Sequence, residues 1–227
     1  MSYLVLLRHG ESMWNKKNIF TGWVDVPLSE KGVVEAENAG KRLANMPIDI
    51  IFCSTLVRGM MTAMLAMAYH KEGKTPVVQH TEGKLKDWSK IYSDKAAMDT
   101  IPVYCADELN ERMYGELQGL NKDETRKEFG VEQVKIWRRS FKTCPPNGES
   151  LELTTKRTIP YFESVIMPEV QANKNVLISA HGNSLRACVK YIEGLSDDEV
   201  VKLEIATGDP LVYEYTNGKL VRVDTHP

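Results

Sequence analysis

Two short stretches constrain this chain most. Leu4-Val5-Leu6-Leu7 runs into Arg8-His9-Gly10, and Val176-Leu177-Ile178-Ser179-Ala180 runs into His181-Gly182. An unbroken apolar run reads as a strand covered on both faces, the pattern of a parallel sheet between helical layers. In such sheets ligands bind just beyond the carboxyl ends of the strands. Each run therefore delivers a histidine to a place where sites form, and the glycine that follows lets the backbone turn.

The rest of the chain alternates in the same sense. Ser29 is a suitable N-cap for a helix in which Val33, Ala36, Ala39, Gly40 and Leu43 recur at helical spacing. Ile48 to Phe52 reads as a second buried strand, and Leu56 to His70 as a helix whose Met60, Ala63, Met64 and Met67 form an ordinary core face. Thr100 to Cys105 reads as a third strand. Helices are expected over Asn121 to Gly130 and Val131 to Phe141, within Leu151 to Val170, and from Ser184 to Ile192, with short strands at Leu211 to Tyr215 and Leu220 to Val223. Strands alternating with helices predict an α/β fold, a three-layer sandwich with a mostly parallel central sheet flanked by helices. The 227 residues, 42% hydrophobic, suffice for one large domain, and no linker divides them. Lys71 to Asp107, rich in lysine with Gly73 and Gly83, has little periodicity.

Several function classes lose support here. The net charge of −2 gives no global reason to expect nucleic acid or an anionic membrane surface. Cys53, Cys105, Cys144 and Cys188 are widely spaced with no Cys-x-x-Cys pair, which argues against zinc and against a disulfide framework. Arg8 and His9 interrupt the first apolar run too early for a signal peptide, and no apolar stretch approaches the ~20 residues of a membrane span. The expected location is the cytoplasm.

A histidine beside an arginine suits attack on a phosphoryl group. Neutral imidazole is nucleophilic near pH 7, and guanidinium is the planar bidentate partner of phosphate. His181, on a second strand end, could donate to the phosphoryl oxygens. Glu111 in Leu109-Asn110-Glu111-Arg112 taken alone is a surface glutamate; near a phosphohistidine it is a candidate acid/base for a hydroxyl. Arg58 and Lys122 taken singly read as solvated charges. Arg138-Arg139, beside Trp137 at a helix end, repel unless an anion sits between them. His70, His80 and His226 have no partners at ligand spacing and read as surface or loop residues.

Leu6-Leu7-Arg8-His9-Gly10-Glu11-Ser12 resembles the signature of the histidine phosphatase superfamily. Phe20-Thr21-Gly22-Trp23, Leu28 to Gly32, Leu109 to Arg112, Tyr114 to Lys122, Ile136 to Phe141 and Ala180 to Arg186 resemble cofactor-dependent phosphoglycerate mutases block for block. The resemblance implies one phosphoglycerate mutase-like domain over 1–227, with an insertion at 71–107. It implies interconversion of 3-phosphoglycerate and 2-phosphoglycerate in glycolysis and gluconeogenesis, with 2,3-bisphosphoglycerate as phosphoryl primer and bound intermediate, and no metal. By the same resemblance His9 carries the phosphoryl group, Glu111 shuttles the hydroxyl proton and His181 stabilises the transferring phosphoryl. Arg8, Asn15 and Arg58 would hold that phosphoryl, while Thr21, Gly22, Arg112, Tyr114, Lys122, Arg138, Arg139, Gly182 and Asn183 would hold the substrate.

The chain departs from the pattern in three places: a longer interval from Arg58 to Glu111, a shorter one from Arg139 to His181, and an end at Pro227 where many members continue. The last of these favours a phosphatase alternative, in which water receives the phosphoryl, because a phosphohistidine open to solvent is hydrolysed. Lys122 with Arg138-Arg139 argues against it. A non-catalytic phospho-ligand-binding module is opposed by the joint presence of His9, Glu111 and His181. A divalent-metal hydrolase lacks any His-x-x-Glu-His or aspartate cluster. The small-molecule substrate is the only partner implied; a homo-oligomer is left open.

Overall fold

The structure, a computed structural model, describes residues 1–223. In chain order the elements are β1 (Ser2–Arg8), α1 (Met13–Lys16), α2 (Glu30–Leu43), β2 (Ile50–Ser54), α3 (Val57–Met67), β3 (Thr75–Val78), α4 (Gly83–Trp88), α5 (Asp94–Ala97) and β4 (Thr100–Ala106). There follow α6 (Lys122–Phe129), α7 (Val131–Arg139), α8 (Leu151–Tyr161), α9 (Met167–Gln171), β5 (Val176–Ala180), α10 (Gly182–Glu193), α11 (Asp197–Val200), β6 (Pro210–Thr216) and β7 (Lys219–Val223). A π-turn over Phe162–Ile166 joins α8 to α9.

The strands form one sheet in the order β3-β4-β2-β5-β1-β6-β7. β1 pairs parallel with β5, β5 with β2, β2 with β4 and β4 with β3; only β6 and β7 bring antiparallel pairing. Alternation along β1 sorts its side chains to two layers, as pleating requires. Leu4 and Leu6 pack with Phe162, Ile166, Val170, Leu185 and Val189 from the α8–α9–α10 side. Val5 and Leu7 pack with Leu43, Ala63, Ala66 and Met67 from α2 and α3. Both faces of the sheet are thus covered, giving the three layers expected.

Local chemistry sets the elements that matter for the site. Ser29 caps α2, its hydroxyl accepting from the Gly32 amide at 3.1 Å. That first turn lies so close to the loop after β1 that a Cβ on Gly10 would stand 2.2 Å from the Gly32 carbonyl oxygen. Gly130, at φ +86°, separates α6 from α7 where the sequence pattern breaks. Phe20, Leu117, Val134 and Trp137 make a small third cluster that seats α7, and Phe129 of α6 packs edge-on against Trp137.

The structure adds to the sequence reading and corrects it in detail. Residues 71–107 contribute β3, α4, α5 and β4, so Thr100–Ala106 is the fourth strand in chain order and β3 is an edge strand the pattern missed. His70 is buried instead of exposed, with Nε2 2.9 Å from the Met46 carbonyl. His226 lies outside the described residues. The short helix α1, capped by Ser12, lies between the end of β1 and Phe20.

Candidate active site

β1 and β5 are neighbours, and the ladder continues one step past β1: the His9 amide donates to the Ala180 carbonyl at 3.0 Å. This brings the two histidines together, their ring centroids 4.8 Å apart and their planes at 60°. Nδ1 of His9 lies 2.6 Å from the Gly10 carbonyl. A carbonyl only accepts, so Nδ1 carries the proton and Nε2 keeps its lone pair. His181 lies behind His9, fully buried, with Nε2 2.7 Å from the Ser54 hydroxyl at the end of β2. Burial, reinforced by Arg58 and Arg8, pushes both histidines well below the usual imidazole range. Both are neutral at pH 7.

Above His9 opens a cleft of about 870 Å3, counting the part open to solvent. Arg8, His9, Asn15, Thr21, Gly22, Arg58, Glu111, Tyr114, Lys122, Arg138, Arg139, Gly182 and Asn183 all line it. Arg112 and His181, the other two residues expected at the site, are buried directly behind that wall.

Each is held by its element. Asn15 belongs to a capping box: its Oδ1 accepts from the Ser12 amide at 3.1 Å, leaving Nδ2 as its donor. Arg58, in the first turn of α3, donates to the carbonyls of Gly22 at 2.7 Å and Val24 at 2.9 Å. Burial pushes its guanidinium down to about 10, against the opposing charges of Glu111 and Asp25. Gly22 itself needs φ +54°, and a Cβ there would strike the Gln118 side chain, whose oxygen accepts from the Trp23 amide.

Glu111 faces His9 from the segment after β4. Its Oε1 accepts from the Arg112 amide at 2.8 Å, the Asn183 amide at 3.2 Å and Asn183 Nδ2 at 2.8 Å. Gly182 and Asn183 open α10, a twelve-residue helix whose N-terminus adds partial positive charge at the cleft floor. Arg112 donates to the Tyr114 hydroxyl at 3.1 Å and the Arg138 carbonyl at 3.2 Å. Burial opposes ionisation of Tyr114, but the Arg112 charge and hydrogen bond outweigh it and hold the phenol below its usual value. Burial lowers Lys122, and Arg138 adds to the shift; burial likewise lowers Arg138 itself. The cleft gathers cations around one nucleophilic imidazole and the Glu111 carboxylate, an arrangement fitted to phosphoryl transfer.

Sequence reasoning gave no role to Arg186, Glu204, Ile19, Phe20 or Ile205, which also line the cleft. Arg186 sits three residues after Asn183 on α10 and donates to its Oδ1 at 3.2 Å, so its helical spacing from the His-Gly turn was an available signal. Glu204 had none. Nor did Arg157 and Glu149, an ion pair beneath Glu111.

The chain is similar to known proteins along most of its length. Residues 4–91 and 91–225 match the model of the histidine phosphatase superfamily, branch 1. A 2,3-bisphosphoglycerate-dependent phosphoglycerate mutase of Protochlamydia amoebophila is 57% identical over 223 residues, covering 98% of this chain and 99% of its own. The Arabidopsis thaliana 2,3-bisphosphoglycerate-dependent phosphoglycerate mutase 1 is 54% identical over 220 residues, 96% of this chain and 66% of its own. The crystal structure of a phosphoglycerate mutase from Bacillus anthracis shares the fold, with a TM-score of 0.70 at 21% identity over 98% of this chain and 91% of that one.

Proposed function

The chain belongs to the histidine phosphatase superfamily and, within it, to the 2,3-bisphosphoglycerate-dependent phosphoglycerate mutases, and from that membership and the cleft we infer that it interconverts 3-phosphoglycerate and 2-phosphoglycerate. The observation that carries the reading is the setting of His9: neutral, its Nδ1 proton committed to Gly10, with Glu111 and a ring of cations around the space it faces.

In this reading His9 Nε2 accepts a phosphoryl group, and 2,3-bisphosphoglycerate, when bound, supplies that group. The residues present fit such a polyanion: Arg8 Nε, Thr21 Oγ1, Arg112 Nε and His181 Nδ1 are buried without a hydrogen-bond partner among the described residues. Arg8, Asn15 and Arg58 hold the phosphoryl on His9, and His181, steadied by Ser54, offers Nδ1 to its oxygens. Thr21, Gly22, Arg112, Tyr114, Lys122, Arg138, Arg139, Gly182 and Asn183 hold the rest of the substrate. Glu111 takes the proton of the 2-hydroxyl of 3-phosphoglycerate as the new P–O bond forms and the bond from phosphorus to Nε2 breaks. His9 then takes back the 3-phosphoryl group and Glu111 returns the proton, releasing 2-phosphoglycerate. Charge on the non-bridging oxygens is met throughout by guanidinium and ammonium groups.

Among the described residues no helix is long and apolar enough to cross a membrane. The proposal places the enzyme in the cytoplasm, working in glycolysis and gluconeogenesis on small phosphoglycerates, as one domain with an insertion at 71–107. The test is a coupled assay with 3-phosphoglycerate in EDTA, with and without a trace of 2,3-bisphosphoglycerate, while phosphate release is followed in parallel. Primer-stimulated 2-phosphoglycerate is the expected result. Phosphate release without isomerisation would assign the protein to the phosphatases.

A further inference from the structure

Among the described residues that line the cleft, only Glu111 and Glu204 are acidic. Glu111 has the partners described above. Glu204 stands on another wall, Oε1 2.7 Å from Arg139 Nη2 and Oε2 3.5 Å from Arg186 Nη2. A carboxylate there works against the affinity of an anion site, and its backbone is pinned on both sides. Arg186 Nε donates to the Leu203 carbonyl at 2.7 Å, and Arg8 Nη1 donates to the Ile205 carbonyl at 2.6 Å. The same two arginines that border the cleft therefore aim Glu204 at its cations. Its side chain is 65% exposed, against 40% for Arg139 and 12% for Arg186, so Arg186 is the built part and the carboxylate is the movable one.

We propose that Glu204 is a built-in counter-anion, which neutralises Arg139 and Arg186 until the anionic end of the substrate furthest from His9 displaces it. This deepens the functional reading and rests on it. Adjacent Arg138 and Arg139 repel unless an anion lies beside them, and Glu204 supplies one to Arg139 in the free enzyme. A bridge this exposed is weak and opens at little cost. Without it the clustered cations would retain any small polyanion; with it, a ligand must bring enough contacts to replace the carboxylate. A phosphoglycerate, with a phosphate and a carboxylate, does so. A single inorganic oxyanion makes fewer contacts and is disfavoured. Glu204 is thereby a specificity-determining residue that also speeds product release.

The test compares the full-length protein with Glu204→Gln, and with Glu204→Ala as a second variant, by calorimetric titration with inorganic phosphate and by steady-state assay with 3-phosphoglycerate. Removing one negative charge at this range is expected to tighten phosphate binding roughly three- to tenfold. KM should fall by a similar factor, with kcat moving less than KM, and inhibition by phosphate should strengthen. In an Arg139→Gln background the same change should shrink. If Glu204 only fastened α7 to the 203–205 segment, the sign would reverse, with weaker phosphate binding and a higher KM. That result, or unchanged affinity in both variants, overturns the proposal. Phosphate titration needs no turnover, so the two readings separate. Tightened binding in a protein that makes no 2-phosphoglycerate removes the mutase reading alone, and turnover with unaltered phosphate affinity removes the counter-anion alone.

Discussion

Arg157 donates from Nη2 to the Glu111 carbonyl at 2.9 Å and from Nε to the Glu149 carboxylate at 2.9 Å. The same guanidinium reaches the carbonyls of Glu108 at 2.8 Å and Asn110 at 3.1 Å, and Glu149 accepts from the Met113 amide at 3.0 Å. One ion pair thus anchors the segment from Glu108 to Met113 without itself lining the cleft. Arg157→Ala leaves Glu149 without its cation and should cost on the order of 3 kcal/mol of stability, read from urea denaturation. Arg157→Lys keeps the charge but loses the planar fork. It should still form phosphohistidine while transfer to the hydroxyl slows at least tenfold; equal losses in both steps would show that Arg157 is only structural.

Substitutions at the proposed catalytic groups should divide the reaction. His9→Ala should abolish both phosphoenzyme and turnover. Glu111→Gln should leave His9 phosphorylatable, seen as an acid-labile phosphoprotein, and slow mutase turnover by roughly 100- to 10,000-fold. Full turnover in Glu111→Gln would contradict the proton-shuttle role.

The buried histidines make stability depend on acidity. His9 and His181 both sit below the imidazole value of 6.5 because burial disfavours their charged forms. Below about pH 6.5 the unfolded chain therefore binds protons that the folded chain refuses, and stability present above that pH is lost as pH falls toward the folded values. The slope steepens toward the limit set by two protons taken up on unfolding. Denaturation midpoints at pH 7.5, 6.0 and 5.0 should show the decline, and a His9→Asn, His181→Asn double variant should flatten it.

Gly10→Ala should be more damaging than a surface glycine change. Its Cβ would meet backbone of Gly32 at 2.2 Å and cannot be relieved by a rotamer change. A loss of about 3 kcal/mol is expected as the loop and α2 separate, together with a fall in phosphohistidine yield as His9 shifts. Denaturation and phosphorylation measured on the same preparation test both.

What was legible in the sequence follows from how much apolar side chain each element buries. β1, β2 and β5 are covered on both faces and announce themselves as runs of Val, Leu and Ile. The edge strand β3 carries Thr75 and Pro76 and is only partly buried, while α4 and α5 expose every residue or nearly so, leaving no periodicity to read. At the site, motif residues could be named because they cluster in short blocks. Arg157, Glu149 and Glu204 could not, since they act through contacts between segments far apart in the chain, and a lone charged residue looks the same on a surface as beneath a loop.

The position of β1 between β5 and β6 has a consequence for how the molecule comes into being. The strand that leads into His9 is synthesised well before both its sheet neighbours, which lie beyond residue 175, with Leu4 facing Val176 on one side and Tyr213 on the other. Loop closure over such separations is slow. During translation the first strand must wait, its apolar run unpaired, until residues 176–180 have left the ribosome. The two histidines meet only when that late strand docks, so on the proposed mechanism a chain lacking residues 176–180 should form no phosphohistidine, and phosphorylation of His9 would report completion of the central sheet.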